Sequence, residues 1–336
     1  MVNLFKIVVA LCLAISFSFS DTNTGKIIGG SEHETPAWFK QSFLDIPEDV
    51  EEAFQSGKHV MLFMDLDGCP YCTKMLNESF ISENDTSNFA KKHFDVINLN
   101  VKGSREIVWD SENTITEKDL ALKLKVQYSP TVLFLDENKN VLLRINGYRS
   151  PENFKLILEY IHGKHYKEKT LTEYLAYNNP LSKNSKNKKT TSKVMQDFST
   201  IKTPLAIIFE EENCAQCNYF NTETLKNKDV KKELSKFKTI KFNATSNEEF
   251  INVDGIKTTP KKLTTSINLD YRPGILLYNE KQLISTVDAL LYSFHFKELL
   301  RYVSEKEYKK FNSYLEYLGI RQKELIDAGV NIDLSK

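Results

Sequence analysis

The sequence predicts an α/β protein built from two copies of the same unit. Apolar segments typical of buried strands, such as residues 60–64, alternate with segments whose apolar residues have helical spacing. Each half of the chain also carries a Cys-x-x-Cys motif shortly after such a strand, and an X-Pro step that leads into a later strand. At 336 residues, the chain is long enough for two domains of ordinary size.

The first half is predicted to contain helices and strands in the order helix–strand–helix–strand–helix–strand–strand–helix. A loop is expected around Gly103, and a turn at residues 136–140 joins the last two strands as a hairpin. The predicted elements are a helix from Pro47 towards Gly57, strand 60–64, a helix from Cys69, strand 94–101, helix 116–124, strands 132–135 and 141–145, and helix 154–161.

The second half repeats this pattern at a nearly constant offset. Cys214 follows Cys69 by 145 residues, and Pro273 follows Pro130 by 143 residues. Such a small drift over so long a span predicts tandem domains. We place domain 1 at residues 35–163, a linker at 164–193, domain 2 at 194–305 and a C-terminal helical extension at 306–336.

The linker is predicted to be flexible, because residues 180–193 are basic and polar with almost nothing to bury. A nucleic-acid-binding segment is the alternative interpretation. The absence of interleaved aromatic residues and a formal net charge of zero argue against it, so we expect no nucleic acid partner.

The N-terminus has the features of a secretory signal peptide at residues 1–20. Lys6 precedes an apolar run over residues 7–13, which is too short to span a bilayer and gives way to small residues before Ser20. An uncleaved membrane anchor is the alternative. We expect an exported protein, periplasmic if the source is a Gram-negative bacterium, with a mobile polar segment after the cleavage site.

The first Cys-x-x-Cys motif, Cys69-Pro70-Tyr71-Cys72, is predicted to open a helix. With Cys69 as N-cap, Pro70 falls at the first helical position, where its missing N–H costs nothing. The free N–H groups of Tyr71 and Cys72 then point at the Cys69 sulfur, and the helix dipole favours negative charge there. Since the thiolate is the attacking species in disulfide exchange, Cys69 is the predicted nucleophile and Cys72 the resolving thiol.

The remaining cysteines form a second pair, Cys214 and Cys217, so every cysteine after the signal peptide belongs to a redox-type motif. Zinc binding by the two pairs is an alternative. The pairs lie 142 residues apart, each with its own later proline, and we expect neither a metal nor a cofactor.

These features resemble the thioredoxin fold, and within it the SoxW-like periplasmic thioredoxin-related proteins. The Gly-Cys-Pro-Tyr-Cys of residues 68–72 and the Arg-Ile-x-Gly-Tyr of residues 144–148 carry the closer resemblance. The resemblance implies two thioredoxin-fold domains, each with a central mixed sheet flanked by helices. It further implies that Pro130 is cis and that Ser129 offers main-chain contacts to an extended substrate, with Pro70 and Tyr71 beside it; Arg272 and Pro273 are the counterparts in domain 2.

One position departs from the thioredoxin pattern, and the second site is not a copy of the first. Phe63 stands where cytosolic thioredoxins carry a buried aspartate, which leaves Asp65 as the candidate proton acceptor for Cys72. In domain 2, negative charge at residues 210–212 should raise the pKa of Cys214, whereas Arg272 should lower it. The sequence leaves open which effect prevails.

The sequence thus predicts a thiol–disulfide oxidoreductase, a reductase first and an isomerase or oxidase second. The expected partners are a disulfide-bearing protein or sulfur-compound substrate and a membrane thiol that donates electrons; the oligomeric state is left open. Cys214 and Cys217 either relay electrons to the first pair or form a structural disulfide. The rival from another class is a non-catalytic binding protein whose disulfides never cycle.

Overall fold

The structure is a computed structural model that describes residues 24–110, 113–178, 195–212 and 214–335. The predicted signal peptide and the basic part of the predicted linker lie outside these residues. Within the part of the chain that is described, no helix is long and apolar enough to cross a membrane.

Domain 1 is a four-stranded mixed sheet with helices on both faces. Its strand order is β3-β2-β6-β7, with β3 parallel to β2 and the other two pairs antiparallel. The elements up to residue 178 are β1 (Ile27–Ile28), α1 (Ile46–Gln55), β2 (His59–Asp65), α2 (Pro70–Leu76), α3 (Asp85–His93), β3 (Phe94–Asn100), β4 (Glu106–Asp110), β5 (Asn113–Thr116), α4 (Glu117–Lys123), β6 (Thr131–Leu135), β7 (Val141–Asn146), α5 (Pro151–His162) and α6 (Leu171–Asn178).

Domain 2 repeats this sheet, with the order β9-β8-β12-β13 and the same parallel and antiparallel pairings. The fold class predicted from the sequence, two tandem thioredoxin-fold domains, is therefore confirmed. The elements from residue 205 are β8 (Leu205–Glu210), α7 (Ala215–Thr222), α8 (Lys228–Leu234), β9 (Lys238–Asn243), β10 (Phe250–Ile251), β11 (Lys257–Thr258), α9 (Pro260–Ser266), β12 (Gly274–Asn279), β13 (Gln282–Val287), α10 (Ser293–Ser304), α11 (Tyr314–Asp327) and β14 (Ile332–Asp333).

The strand that leads to each cysteine motif is buried on both faces. In β2, Met61 and Phe63 pack into the core under α2 and α5, while the alternating residues Leu62 and Met64 pack into the core under α1 and α4. This burial explains the uninterrupted apolar run in the sequence. It also fixes where each strand ends, and so where the cysteine motif begins.

Three segments differ from the prediction. Gly103 lies in a loop as expected, but the segment between it and α4 also forms the β4–β5 hairpin, which was not predicted. Residues 165–178, expected in the linker, fold onto domain 1, because Leu171 and Tyr174 bury their side chains in its core. The C-terminal extension packs α11 on domain 2, as expected, but ends in a strand.

The polar segment before residue 35, expected to be mobile, is held at two places. Its strand β1 pairs in parallel with β14 at the other end of the chain, and the Gly25 N–H donates to the Ile326 carbonyl oxygen at 2.8 Å. Further along, the Ser31 N–H donates to the Gly68 carbonyl oxygen at 3.3 Å, next to the first cysteine.

The two domains are in direct contact through the segments that follow β7 and β13. Nη2 of Arg149 donates to the Asp288 carbonyl oxygen at 2.8 Å, and Asn146 Nδ2 donates to Asp288 Oδ1 at 3.0 Å. Gly147, with φ of +71°, lies so close to Ala289 that an added Cβ would stand 2.4 Å from the Ala289 Cβ. A side chain at Gly147 would force the domains apart.

Candidate active site: two disulfides at helix starts

Cys69 caps the start of α2 as the sequence predicts. Its Sγ accepts a hydrogen bond from the Cys72 N–H at 3.1 Å, and Pro70 occupies the first helical turn. Cys69 and Cys72 form a disulfide with their Cα atoms 5.3 Å apart. Cys69 is 5% exposed and Cys72 is fully buried, so the first sulfur is the accessible one.

The turn before β6 lies beside this disulfide. The Ser129–Pro130 peptide bond is cis, in agreement with the resemblance. Cys69 Sγ stands 3.5 Å from the Ser129 carbonyl oxygen and 3.6 Å from its hydroxyl. Ser129 thus offers polar main-chain and side-chain groups at the sulfur, where an extended segment could pair with them.

Domain 2 has the same geometry at Cys214 and Cys217, which form the second disulfide with Cα atoms 5.2 Å apart. Cys214 Sγ accepts the Cys217 N–H at 3.0 Å and lies 3.7 Å from the Arg272 carbonyl oxygen. The Arg272–Pro273 bond is also cis. Each domain therefore brings its cysteine motif and its X-Pro turn together.

The charges near Cys214 are largely paired with each other. Arg272 Nε donates to Glu211 at 2.7 Å, and Lys241 lies 3.2 Å from Glu210. Arg272 and Glu211 thus form one neutral pair beside the second motif, so the opposite charges that the sequence places near Cys214 offset each other. An open cavity of about 370 Å³ adjoins this region, with Glu212, Glu248 and Glu249 also on its wall.

Phe63 takes the place of the thioredoxin aspartate as a fully buried aromatic residue in contact with Phe39 and Phe80. Asp65, the alternative acceptor, is buried at the end of β2 and bonds to His33 Nε2 at 2.8 Å. That hydrogen bond, opposed by burial, raises the pKa of His33. No sequence pattern pointed to His33, because this residue comes from the polar segment far upstream of the first motif.

Tyr71 is buried at the contact with domain 2, a position that the sequence did not predict. Instead of lining an open substrate face, its ring stacks on Tyr292 of domain 2 with centroids 4.7 Å apart, and only 5% of the residue is exposed. Tyr128, just before Ser129, is likewise buried against domain 2. No local pattern could reveal these partners, which are more than 150 residues away.

Two disulfides at helix starts, each facing a cis-proline turn on a mixed sheet, define a tandem thioredoxin-fold protein. Residues 46–162, which make up most of domain 1, match the family model of the thioredoxin-like domain. This match and the two Cys-x-x-Cys pairs support thiol–disulfide oxidoreductase chemistry in general terms. No curated protein matches the chain.

Solved structures that resemble the chain are thioredoxin-fold and redox proteins. A thioredoxin-fold protein from Helicobacter pylori is 24% identical, with 36% of this chain and 79% of that chain covered and a TM-score of 0.31. The oxidoreductase DsbH is 19% identical, with coverage of 35% and 83% and a TM-score of 0.24. The NTD_N/C domain of the alkylhydroperoxide reductase AhpF from Enterococcus faecalis is 12% identical, with coverage of 77% and 97% and a TM-score of 0.26.

Proposed function

We propose that this protein is an exported thiol–disulfide oxidoreductase that works as a reductase through Cys69 and Cys72. The observation that carries the oxidoreductase role is the position of the Cys69 sulfur, which caps α2 and accepts the Cys72 N–H at 3.1 Å. The proposed direction of electron flow is supported separately, by acidic residues near the motifs. In the reduced protein, the same N–H and the helix dipole would stabilise a thiolate on Cys69. The Ser129 carbonyl oxygen, 3.5 Å from the same sulfur, would anchor the main chain of a substrate segment.

The reaction runs in two exchange steps. The Cys69 thiolate attacks one sulfur of the substrate disulfide, a mixed disulfide forms, and the other substrate sulfur leaves as a thiolate. Cys72, as its thiolate, then attacks Cys69; the substrate's second sulfur leaves, and the Cys69–Cys72 bond closes. Two electrons pass to the substrate, and a thiol donor must return two electrons to the protein before the next cycle.

Asp67 before the first motif and Glu212 before the second support a reductase, because negative charge near a sulfur disfavours its thiolate and so favours the oxidised form. Glu210, Glu211 and Asp65 contribute less, since each is paired with a basic side chain. The substrate would be a protein disulfide or an oxidised sulfur compound. A membrane thiol carrier would supply electrons. The N-terminal signal would direct the protein to the compartment that contains both this carrier and the substrate.

Reduction potentials test the direction of electron flow. Purified protein is equilibrated with dithiothreitol or glutathione buffers, and the free thiols of each pair are trapped and counted. A first-pair value near that of thioredoxin, about −270 mV, agrees with a reductase, whereas about −120 mV indicates a disulfide donor. A first pair that no buffer reduces would contradict the proposal and favour the binding-protein alternative.

Trapping tests the assigned roles of the cysteines. Cys72→Ser should accumulate a mixed disulfide with substrate through Cys69, while Cys69→Ser should not. Equal trapping by both variants would reverse or remove the assignment.

The second pair is proposed to relay electrons to or from the first. In this role, replacement of Cys214 and Cys217 by serine slows turnover with a physiological thiol donor but leaves single-turnover reduction by Cys69 and Cys72 intact. Unchanged turnover would make the second pair a structural disulfide.

A further inference from the structure

The turn between Cys69 and Cys72 is held by domain 2. The Tyr71 hydroxyl accepts the Tyr292 backbone N–H at 2.7 Å and stands 3.3 Å from Nδ1 of His295. Burial lowers the pKa of His295 to about 4, so the ring is neutral near pH 7 and can accept the Tyr71 O–H at Nδ1. Both hydrogen-bonding functions of the Tyr71 hydroxyl are thus satisfied from outside its own domain.

Aromatic packing reinforces this anchor. The Tyr292 ring stacks on Tyr71 and also meets the edge of Tyr219, with the latter centroids 5.9 Å apart. Tyr219 is on α7, two residues beyond Cys217. The ring of Tyr292 therefore lies between the two cysteine-bearing helices.

The second turn beside Cys69 is held in the same way. Tyr128, the residue before Ser129, is buried in the core of domain 2, and its hydroxyl is 2.8 Å from Ser285 Oγ. The contact is reciprocal, since the Arg149 guanidinium lies 4.5 Å above the ring of Tyr271, the residue before Arg272. Both turns that frame the Cys69 sulfur are therefore fixed across the domain contact.

We propose that Tyr292 and His295 are positioning and specificity-determining residues for the first cysteine pair: they hold Tyr71, close that side of the groove, and favour small or extended disulfides over disulfides on folded surfaces. The inference rests on the proposed function of Cys69.

Steric access is the physical basis of this selectivity. Attack requires the substrate sulfur to reach Cys69 Sγ, which belongs to a residue that is only 5% exposed. A small disulfide, or an extended strand lying along Ser129, needs only the open side of the groove. A broad folded surface would also have to cover Tyr71, but the segment before α10 already occupies that space. A folded substrate therefore clashes with this segment, whereas the smaller substrates do not.

The experiment compares two substrates in the full-length chain. Cys214→Ser/Cys217→Ser is the parent, so that only the first pair reports. Rate constants for oxidation of the reduced protein are measured with oxidised glutathione and with native insulin, and their ratio, glutathione over insulin, expresses selectivity. Three variants of the parent probe the anchor: Tyr292→Ala removes the stacked ring, His295→Leu removes the hydrogen-bond acceptor, and His295→Asn keeps an acceptor near the position of Nδ1.

The matched control is Tyr308→Ala, the same substitution at a partly buried tyrosine of the C-terminal extension that packs on Tyr302 of domain 2. We expect the ratio to fall about 2- to 10-fold in Tyr292→Ala and His295→Leu, the range for loss of one aromatic pair or one hydrogen bond. His295→Asn should restore most of the ratio, and the control should keep it.

An unchanged ratio in Tyr292→Ala and His295→Leu, or an equal fall in Tyr308→Ala, overturns the inference while the proposed function stands. If the reduced parent reacts with neither substrate, the proposed function itself fails and the inference fails with it. The circular dichroism spectrum of each variant confirms that the folded protein is being measured.

Discussion

The charge on Asp288 should control stability between about pH 4 and pH 6. The side chain is partly buried where the domains meet and accepts hydrogen bonds from Asn146 Nδ2 at 3.0 and 3.3 Å. Burial raises the pKa of Asp288 from 3.8 to about 6, with Arg149 opposing the rise and Asp270 adding to it. The folded protein therefore holds a proton on this carboxyl that the unfolded chain has already released.

The size of the effect follows from the difference between the two pKa values. A rise from 3.8 to about 6 is about two pKa units, and each unit corresponds to about 1.4 kcal/mol, so the ionised carboxylate costs about 3 kcal/mol in the fold. Below the unfolded pKa, Asp288 is protonated in both states and the cost is absent. As the pH rises through this window, the free energy of unfolding falls, and above the folded pKa the loss is complete.

Asp288→Asn removes the charge and keeps an oxygen that can accept the Asn146 amide. We expect the variant to unfold with about 1–3 kcal/mol more free energy than the wild type near pH 7.5, with no gain near pH 4. Urea denaturation followed by circular dichroism at both pH values measures this difference. Asp254→Asn, at an exposed aspartate of domain 2, is the control and should change little. A variant that is less stable at the higher pH, or that keeps the wild-type dependence, would refute the reasoning.

Three further changes address the rest of the site. Phe63→Ala should lower the free energy of unfolding by about 3–5 kcal/mol in urea denaturation, because it empties a fully buried position; a loss below about 1 kcal/mol would mean that Phe63 does not support the core. His33→Gln should destabilise the protein more near pH 5.5 than near pH 8.5. The raised pKa of His33 in the folded protein adds stability below about pH 6.5, and this stability is lost as the pH rises through that folded-state pKa. Equal destabilisation at both pH values would contradict the bond to Asp65. Glu211→Gln should raise the reduction potential of the second pair by about 30 mV in glutathione buffers, because it leaves Arg272 free to stabilise a thiolate; a lower potential would reverse this account.

The local features of both sites could be predicted from the sequence. A Cys at an N-cap followed by Pro is a local signal for the start of a helix. The prediction for Cys69 and Pro70 therefore depends on no residue far away in the sequence, and the structure confirms it. The buried strand β2 follows equally from its continuous apolar run. The repeat offset then transfers these features to domain 2.

The contacts between the domains could not be predicted in the same way. Tyr71 and Tyr128 have ordinary surroundings in the sequence, and their burial depends on partners in the other domain. His33 likewise meets Asp65 only because the upstream segment crosses the first motif. The β4–β5 hairpin was missed because its strands are short and follow a glycine-containing segment that is typical of a loop.

The pairing of β1 with β14 also has a mechanical consequence. The strands run parallel, with Ile27 opposite Ile332, so tension applied at the two ends of the chain pulls them in opposite directions along their common axis. The hydrogen bonds from the N–H groups of Ile332 and Leu334 to Lys26 and Ile28 would then be loaded in shear, together rather than one after the other. A molecule under tension should therefore resist at the β1–β14 pair before either domain unfolds. Fusion partners at the two termini would extend from opposite ends of this strand pair.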